Sequence, residues 1–184
     1  MKKSIMNLEM SYRYLYPRLT VLVSSGSIEK PNALAIAWSS PLSSNPPLFG
    51  IMITKKRFSY NIIRTNKEFV INIPEISQVE ACFHIGNVSG RVEPDKLFRA
   101  GFTIEKSEKI DAPRIKECKI NIECKLNRII TTGDHDMFVG QVLNVAIDSE
   151  IIDDWSFDLN KFQPIYWRQS KTVKETFPLD LDYH

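Results

Sequence analysis

The chain of 184 residues carries a formal net charge of +2, with 43% apolar and 25% charged residues. This composition is that of a folded globular protein rather than a disordered chain, and the length predicts a single domain over residues 1–184. Lys and Arg are spread among Asp and Glu along the whole chain, which argues against the sustained basic field that nucleic-acid binding needs.

The cellular compartment is predicted from segments that the sequence lacks. Residues 1–18 contain no apolar stretch of the kind found in a signal peptide, and no run reaches the length of a membrane span. The three cysteines, Cys82, Cys118 and Cys124, lack the even number of a disulfide framework and the spacing of a CxxC pair. A cytoplasmic protein with reduced thiols and no membrane segment is therefore expected.

Short apolar runs bounded by Pro, Ser and Asn predict strands along most of the chain. From Cys118 to Asn127, apolar and polar residues alternate, which predicts a long strand with one buried and one exposed face. Turn-forming residues 132–136 separate it from the run Met137–Ile147, so the two runs are predicted to pair as a hairpin. The four earlier predicted strands are Leu19–Ser24, Leu34–Trp38, Leu48–Ile53 and Glu68–Ile73.

Three short helices are predicted between the strands, at Phe58–Arg64, Ile76–Ile85 and Pro94–Ala100. Strands that follow one another through hairpins, with few helices between them, favour a mainly β fold. They indicate an antiparallel sheet closed into a barrel rather than a parallel βαβ stack. From about Lys171, a polar C-terminal tail is predicted to lie along the surface or along a partner subunit.

Several catalytic and nucleotide-binding motifs are missing, and their absence disfavours whole classes of protein. The sequence has no GxGxxG and no GxxxxGK[ST], so it supports neither a Rossmann dinucleotide site nor a P-loop. It also lacks HExxH and GxSxG, which leaves few candidates for zinc hydrolysis or serine esterase chemistry. A bound nucleotide would have to be held in another way.

Instead, a series of short motifs with small polar, basic and aromatic residues runs through the chain. The motifs are Asn32–Pro41, Asn45–Thr54, Lys55–Ile62, Glu68–Ile73, Ser89–Arg91 with Asp95–Phe98, and Gly133–Val142. In this order they resemble the FMN-binding split-barrel group, which contains the flavin reductases, the archaeal ferric reductases and flavoredoxin. The resemblance extends from about Pro17 to Trp167.

The resemblance implies a split β-barrel with FMN as its cofactor, and a homodimer in which the second subunit completes the flavin pocket. It implies an oxidoreductase, a flavin or ferric reductase. In such an enzyme NADH or NADPH reduces the bound flavin, and a small molecule or a redox protein takes up the electrons. Two alternatives stay open. One is a flavoredoxin-like electron-transfer protein that uses NAD(P)H poorly; the other is a flavin- or heme-binding split-barrel protein without turnover.

A basic turn ahead of a predicted helix is the candidate phosphate site. A flavin phosphate carries close to two negative charges and is bound by hydroxyls, backbone N–H groups and cations, which a helix N-terminus and its flanking residues can supply. Thr54, Lys55, Arg57 and Ser59 are therefore predicted to bind it. The alternative is that the basic run is simply a solvated loop.

A second group of residues is predicted to surround the isoalloxazine ring, which needs an apolar, aromatic wall with a few hydrogen-bond donors. Asn32, Ala37, Trp38, Ser39 and Ser40 match positions that line the flavin in the family. The alternatives are core packing for Trp38 and a turn position for Asn32.

His135, in the Gly-Asp-His turn, is the predicted catalytic residue, because a donor or positive charge near flavin N1 favours the reduced ring. The resemblance also marks Arg91 and Lys96 for phosphate or ring contact and Tyr166 for stacking, with surface ion pairs and core packing as alternatives. A metal site through His135 and its two neighbouring aspartates is disfavoured, since adjacent side chains do not converge easily on one ion. No metal is expected.

Overall fold

The computed structural model describes residues 7–153, 156–168 and 171–173, and most of them belong to antiparallel strands. Three short α-helices lie between the strands: α1 (Phe58–Asn66), α2 (Val79–Asn87) and α3 (Lys96–Arg99). In the same described residues, two 3₁₀ helices span Leu8–Leu15 and Ile76–Gln78. The strands are β1 (Arg18–Leu19), β2 (Val21–Gly26), β3 (Pro31–Ile36), β4 (Ser39–Ser44), β5 (Pro47–Ile53), β6 (Glu68–Ile73), β7 (Ile104–Glu105), β8 (Arg114–Ile115), β9 (Ile120–Thr131), β10 (Asp136–Ile147), β11 (Ile152–Asp153), β12 (Ser156–Phe157), β13 (Tyr166–Arg168) and β14 (Lys171–Val173).

Seven strands form the main sheet, in the order β3-β2-β6-β9-β10-β5-β4, and every neighbouring pair is antiparallel. The two edge strands, β3 and β4, are consecutive in the chain and only Ala37 and Trp38 separate them. The sheet must therefore curl until its two edges approach each other, and the Met52 N–H donates to the Trp38 carbonyl across this corner at 2.9 Å. The prediction of a mainly β, antiparallel fold with a few short helices is confirmed.

Both faces of the central strands are covered, which explains why their sequences are apolar at consecutive positions rather than at alternate ones. On β2, Val23 points into a large cluster that contains Phe69 and Phe138, while Leu22 points into a second cluster. This second cluster packs α2 and residues 97–118 against the sheet, and all six residues of β2 are buried.

The predicted exposed face of β9 is in fact buried over its first half. Asn121 is 5% exposed and Glu123 is fully buried, whereas Lys125 and Asn127 further along are exposed. The reason is the segment of residues 107–115, which folds over this face and uses Glu123 as a hydrogen-bond acceptor for two backbone N–H groups. The strand itself is confirmed, and the predicted exposure of its first half is wrong.

The helices lie close to their predicted positions. α1 is followed by the cap residue Lys67, which adopts the left-handed conformation at φ 62° and donates its N–H to the Ile63 carbonyl. The second predicted helix divides into the 3₁₀ turn Ile76–Gln78, which starts with a capping box between Glu75 and Gln78, and α2. The third helix shrinks to the four residues of α3.

Segments from near both ends of the sequence meet beside the main sheet, where β1 pairs with β13 and β13 pairs with β14. Of the predicted tail, residues 171–173 form β14, and residues 174–184 lie outside the described part of the chain. The helices found within residues 7–153, 156–168 and 171–173 all lack the length and hydropathy that a membrane crossing needs.

Candidate functional site

An open cleft of about 320 Å³ lies along the corner where β3 turns into β4. Its lining includes the small side chains of Ala35 and Ala37. Gly86 of α2 also lines the cleft, and a Cβ atom there would come within 3.3 Å of the Ala35 Cβ, so the helix packs closely on the strand. The volume falls in the usual range for small-molecule sites, about 300 to 1,000 Å³.

The Trp38 indole and the His135 imidazole form one wall of the cleft, with ring centroids 4.7 Å apart and an angle of 34° between the rings. Tyr12, in the first 3₁₀ helix, packs edge-on against Trp38 at 5.2 Å. The indole N–H of Trp38 donates to the Tyr16 hydroxyl at 2.9 Å. Contacts from Tyr12, Tyr16 and His135 thus fix the orientation of Trp38 in this wall.

The turn between β9 and β10 brings His135 to this wall. The Thr132 hydroxyl donates to the His135 carbonyl at 2.6 Å, which closes the turn. The imidazole Nδ1 is hydrogen-bonded to the exposed Asp134 carboxylate at 2.9 Å. This hydrogen bond, followed by the charge of the histidine, lowers the pKa of the Asp134 carboxyl. The imidazole is therefore oriented by an acidic neighbour.

The turn between β5 and α1 supplies cationic and polar groups to the same cleft. Thr54 and Arg57 line it, and the Thr54 hydroxyl accepts the Lys56 N–H at 3.2 Å. Arg57 is the N-cap residue of α1 and makes no capping bond with its side chain, which instead donates to the Gly86 carbonyl at 3.3 Å. The N-terminal end of a helix attracts anions, so this end of the cleft suits a phosphate.

Lys55, in the same turn, points in another direction. Its ammonium lies 3.9 Å from Oδ2 of the buried Asp136, and its side chain is 66% exposed. The Tyr60 hydroxyl donates to the same carboxylate oxygen at 2.6 Å, which raises the pKa of Tyr60. The other oxygen, Oδ1 of Asp136, has no partner within the described part of the chain. These contacts tie β10 to α1 beside the cleft.

Asn32 and Ser59 lie outside the cleft lining, in a buried cluster next to the start of α1. The Asn32 amide donates to the Ser59 hydroxyl at 2.7 Å. Gly90 packs against Asn32, since a Cβ there would overlap the Asn32 amide oxygen. The Arg91 guanidinium lies 5.6 Å from the centre of the Phe58 ring. Three predicted site residues, Asn32, Ser59 and Arg91, thus lie together at the start of α1.

Lys96 is a buried cation that caps α2. Its side chain is 3% exposed, and the ammonium donates to the carbonyls of Ile85 at 2.9 Å and Val88 at 2.7 Å. Burial, with the nearby charge of Arg57 as a second cause, lowers the pKa of Lys96 to about 8. The structure therefore places Lys96 at the C-terminus of a helix, where a cation is favourable, and outside the cleft lining.

Ser39, Ser40 and Tyr166 do not line the cleft either. Ser39 and Ser40 belong to β4, and the Ser40 hydroxyl donates to the carbonyl of the next residue, Pro41. Ile165 and Trp167 line the cleft, and since alternate residues of a strand face opposite sides, Tyr166 faces away. The predicted site residues that the cleft does bring together are Ala37, Trp38, Thr54, Arg57 and His135.

The sequence reasoning missed several residues of the lining. Trp167 stands one position from the predicted Tyr166, and the i, i+2 spacing from Ile165 is the signal that identifies it. Cys82 and Phe83 belong to a helix that was predicted without a role, and burial raises the pKa of the Cys82 thiol to about 12. For Thr20 nothing in the neighbouring sequence signals a site.

Within the described ranges, no group of three His, Cys, Asp or Glu side chains could hold a metal ion.

A family model described as "Flavin reductase like domain" matches residues 12–175, which is most of the chain. The chain belongs to this flavin reductase-like family. A protein of Archaeoglobus fulgidus whose function is uncharacterized is 36% identical over 160 residues, 87% of each chain. Membership of the family gives the protein a flavin-related redox role.

Solved structures agree with the family assignment. A flavoredoxin from Methanosarcina acetivorans has a TM-score of 0.84 and 25% identity, over 99% of this chain and 96% of that one. The flavoredoxin of Desulfovibrio vulgaris (Miyazaki F) has a TM-score of 0.81 and 29% identity, over 99% of this chain and 98% of that one. The two flavoredoxins therefore share their fold with this chain over nearly the full length of each chain.

Proposed function

We propose that this chain binds FMN in the cleft and acts as a cytoplasmic NAD(P)H-dependent flavin or ferric reductase. The observation that carries the proposal is that one cleft combines an aromatic wall, the adjacent and tilted rings of Trp38 and His135, with Thr54 and Arg57 at the start of α1. An isoalloxazine ring needs a flat aromatic wall, and its phosphate needs cations and N–H donors. The donor set therefore fits a phosphorylated flavin.

Each part of the cleft has a role in this proposal. Arg57 and the N–H groups at the start of α1 hold the phosphate. Trp38 excludes water from one side of the site, and the small side chain of Ala37 leaves room for a ring. Asn32 and Ser59, with their 2.7 Å hydrogen bond, hold the start of α1 in place from behind.

The chemistry that FMN supplies is the uptake of a hydride from a reduced nicotinamide and the release of electrons to a second acceptor, a small molecule or a redox protein. His135 contributes a hydrogen-bond donor, which favours the negative charge that builds up on a reduced ring. Asp134 holds this imidazole through Nδ1 at 2.9 Å. No side chain has to act as a nucleophile, and the protein provides orientation and electrostatics.

A homodimer is part of the proposal, and the second half of β10 supports it. Leu143, Val145 and Ile147 are 39%, 48% and 39% exposed, although all three are apolar. On the side of β5, the pairing of β10 ends at Gln141 within the described residues, so the backbone beyond it is an open edge. An open strand edge with apolar side chains favours pairing with another chain, and a second copy offers a matching edge.

The test is to purify the protein, measure its mass by light scattering, record its visible spectrum with FMN and with FAD, and titrate it without oxygen with NADH and NADPH. We expect a dimer that binds FMN more tightly than FAD and is bleached by at least one nicotinamide. Failure to bind FMN at micromolar concentration would overturn the proposal.

A matched pair of variants tests the site in the same experiment. Arg57→Gln should weaken FMN binding about tenfold, because it removes a charged partner of the phosphate, and should leave riboflavin binding unchanged. Lys56→Gln removes a neighbouring charge that does not line the cleft, so both affinities should stay as in the wild type. Equal losses for FMN and riboflavin in Arg57→Gln would place the phosphate elsewhere.

A flavoredoxin-like electron-transfer protein is the second candidate, and the likeness to two flavoredoxin structures favours it. It predicts tight FMN binding, slow reduction by NADH and NADPH, and fast reduction by a protein donor. The anaerobic titration separates the two candidates, since only a reductase is bleached directly by a nicotinamide.

A further inference from the structure

The side of the cleft next to α2, which we name the α2 end, is lined by buried side chains. Val79, Cys82 and Ile165 are 7%, 4% and 1% exposed and belong to one apolar cluster. Thr20 lines the same end at 8% exposed, and its N–H donates to the Ile165 carbonyl at 2.8 Å. Burial holds the thiol of Cys82 in its neutral form, with its pKa raised to about 12. Thr20 is therefore a polar side chain held against apolar walls.

The Thr20 hydroxyl has no hydrogen-bond partner among the residues that the structure describes. A buried hydroxyl without a partner destabilises a folded protein, because it loses its bonds to water and gains none in return. The side chain has three staggered rotamers, and rotation about χ1 exchanges the hydroxyl with the methyl group. Rotation of the Thr20 side chain can therefore bring its hydroxyl to a ligand in the cleft. The ligand can then supply the missing hydrogen-bond partner.

We propose that the Thr20 hydroxyl hydrogen-bonds the amide-bearing edge of a planar ring bound in the cleft. The inference rests on the proposed function, which provides two sources of this chemistry: the pyrimidine edge of a flavin and the carboxamide of a nicotinamide. A hydroxyl both donates and accepts, so it matches an edge with N–H and C=O groups. In an otherwise apolar site, one such group fixes which edge of the ring enters.

The test compares Thr20→Val, which removes the hydroxyl at nearly constant volume, with Thr20→Ser, which keeps it. Ser25 provides a matched control, because its buried hydroxyl also lacks a partner in the described structure but does not line the cleft. Each variant is assayed for FMN affinity by flavin fluorescence, for the KM of NADH and NADPH, and for thermal unfolding without flavin. Thr20→Ala serves as a second hydroxyl-free variant if Thr20→Val does not fold.

Thr20→Val should unfold at a higher temperature than the wild type without flavin, because the unpaired hydroxyl is gone, and yet bind its ligand about tenfold more weakly. A loss of FMN affinity identifies the flavin edge as the partner, and a rise in KM with unchanged FMN affinity identifies the nicotinamide. Thr20→Ser should stay within about threefold of the wild type, since it keeps the hydroxyl. Ser25→Ala should change stability alone.

Two results overturn the inference. If the wild type binds FMN and Thr20→Val matches it in both FMN affinity and KM, Thr20 has no such role, while the proposed function stands. If the wild type binds no flavin, the proposed function fails and the inference fails with it.

Discussion

Lys96 shows how one residue can fit a sequence motif and still have a structural task. The motif predicted contact with the flavin, whereas in the structure its ammonium donates to two carbonyls at the end of α2. Gly86, on the same helix, lines the cleft and accepts a hydrogen bond from Arg57. Lys96 thus fixes the end of the helix that shapes the site, and its direct contact with a flavin stays a prediction.

We expect Lys96→Met to lower the free energy of unfolding by about 1–3 kcal/mol, because it leaves the Ile85 and Val88 carbonyls without their charged donor. Urea denaturation at pH 7 measures the change. Lys56→Met is the control, since Lys56 is exposed and its loss should change stability by less than about 0.5 kcal/mol. Equal effects in the two variants would contradict the capping role.

At the level of single residues, the sequence singled out those cleft-lining residues that sit in motifs, and their contact with a flavin stays a prediction. Trp38, Thr54, Arg57 and His135 were found because small polar and basic residues surround them in a recognisable order. Thr20 was not found, because its place in the cleft depends on a backbone hydrogen bond to Ile165, which is 145 residues away in the chain. Such long-range contacts leave no local pattern.

At the level of elements, the strands of the main sheet were predicted well and their surroundings less so. The hairpin of β9 and β10 follows from alternation and turn residues. The burial of Asn121 and Glu123 does not follow from the sequence pattern, because it depends on residues 107–115, which fold over these two side chains. That segment has no regular periodicity. β4 was missed because its sequence, Ser39–Ser44, is largely polar and lies at a sheet edge.

Glu123 holds residues 107–115 in place over β9. A substitution of Glu123 should therefore loosen this segment before the rest of the fold. The carboxylate accepts the N–H groups of Glu108 at 3.0 Å and Lys109 at 2.8 Å. Glu123→Gln turns one acceptor into a donor and should cost about 1–3 kcal/mol of stability. Hydrogen exchange should speed up at the amides of residues 108 and 109, while the exposed control Lys125→Gln leaves both protected. Unchanged protection in Glu123→Gln would rule out this anchoring role.

At the level of the whole molecule, the burial of three thiols is expected to lower the free energy of unfolding at alkaline pH. Burial raises the pKa of Cys82 and Cys124 from 9.0 to about 12, and raises that of Cys118 well above 9.0. Above pH 9 the unfolded chain releases these protons and the folded one keeps them, so stability is lost as pH rises. The lowered pKa of Lys96 makes stability rise with pH between about pH 8 and 10.5. This is the effect of one group, and the three thiols together outweigh it.

We expect the free energy of unfolding to fall between pH 9 and 10, by up to about 1.4 kcal/mol per pH unit for each thiol. Urea denaturation with a thiol reductant at both pH values measures this slope. Cys124→Ala should reduce the slope by the share of one group, whatever its effect on stability at pH 7. Stability that rises with pH in this range would show that the thiols are not responsible.

The pairing of β1 with β13 determines when the proposed flavin can bind. Tyr16 and Thr20 flank β1 in the sequence, Trp167 belongs to β13, and all three line the cleft. During synthesis, the chain must leave the ribosome as far as β13 before these walls can meet. The proposed flavin is therefore expected to bind only after β13 has been made, and a chain that terminates before β13 should remain colourless even where its main sheet has formed.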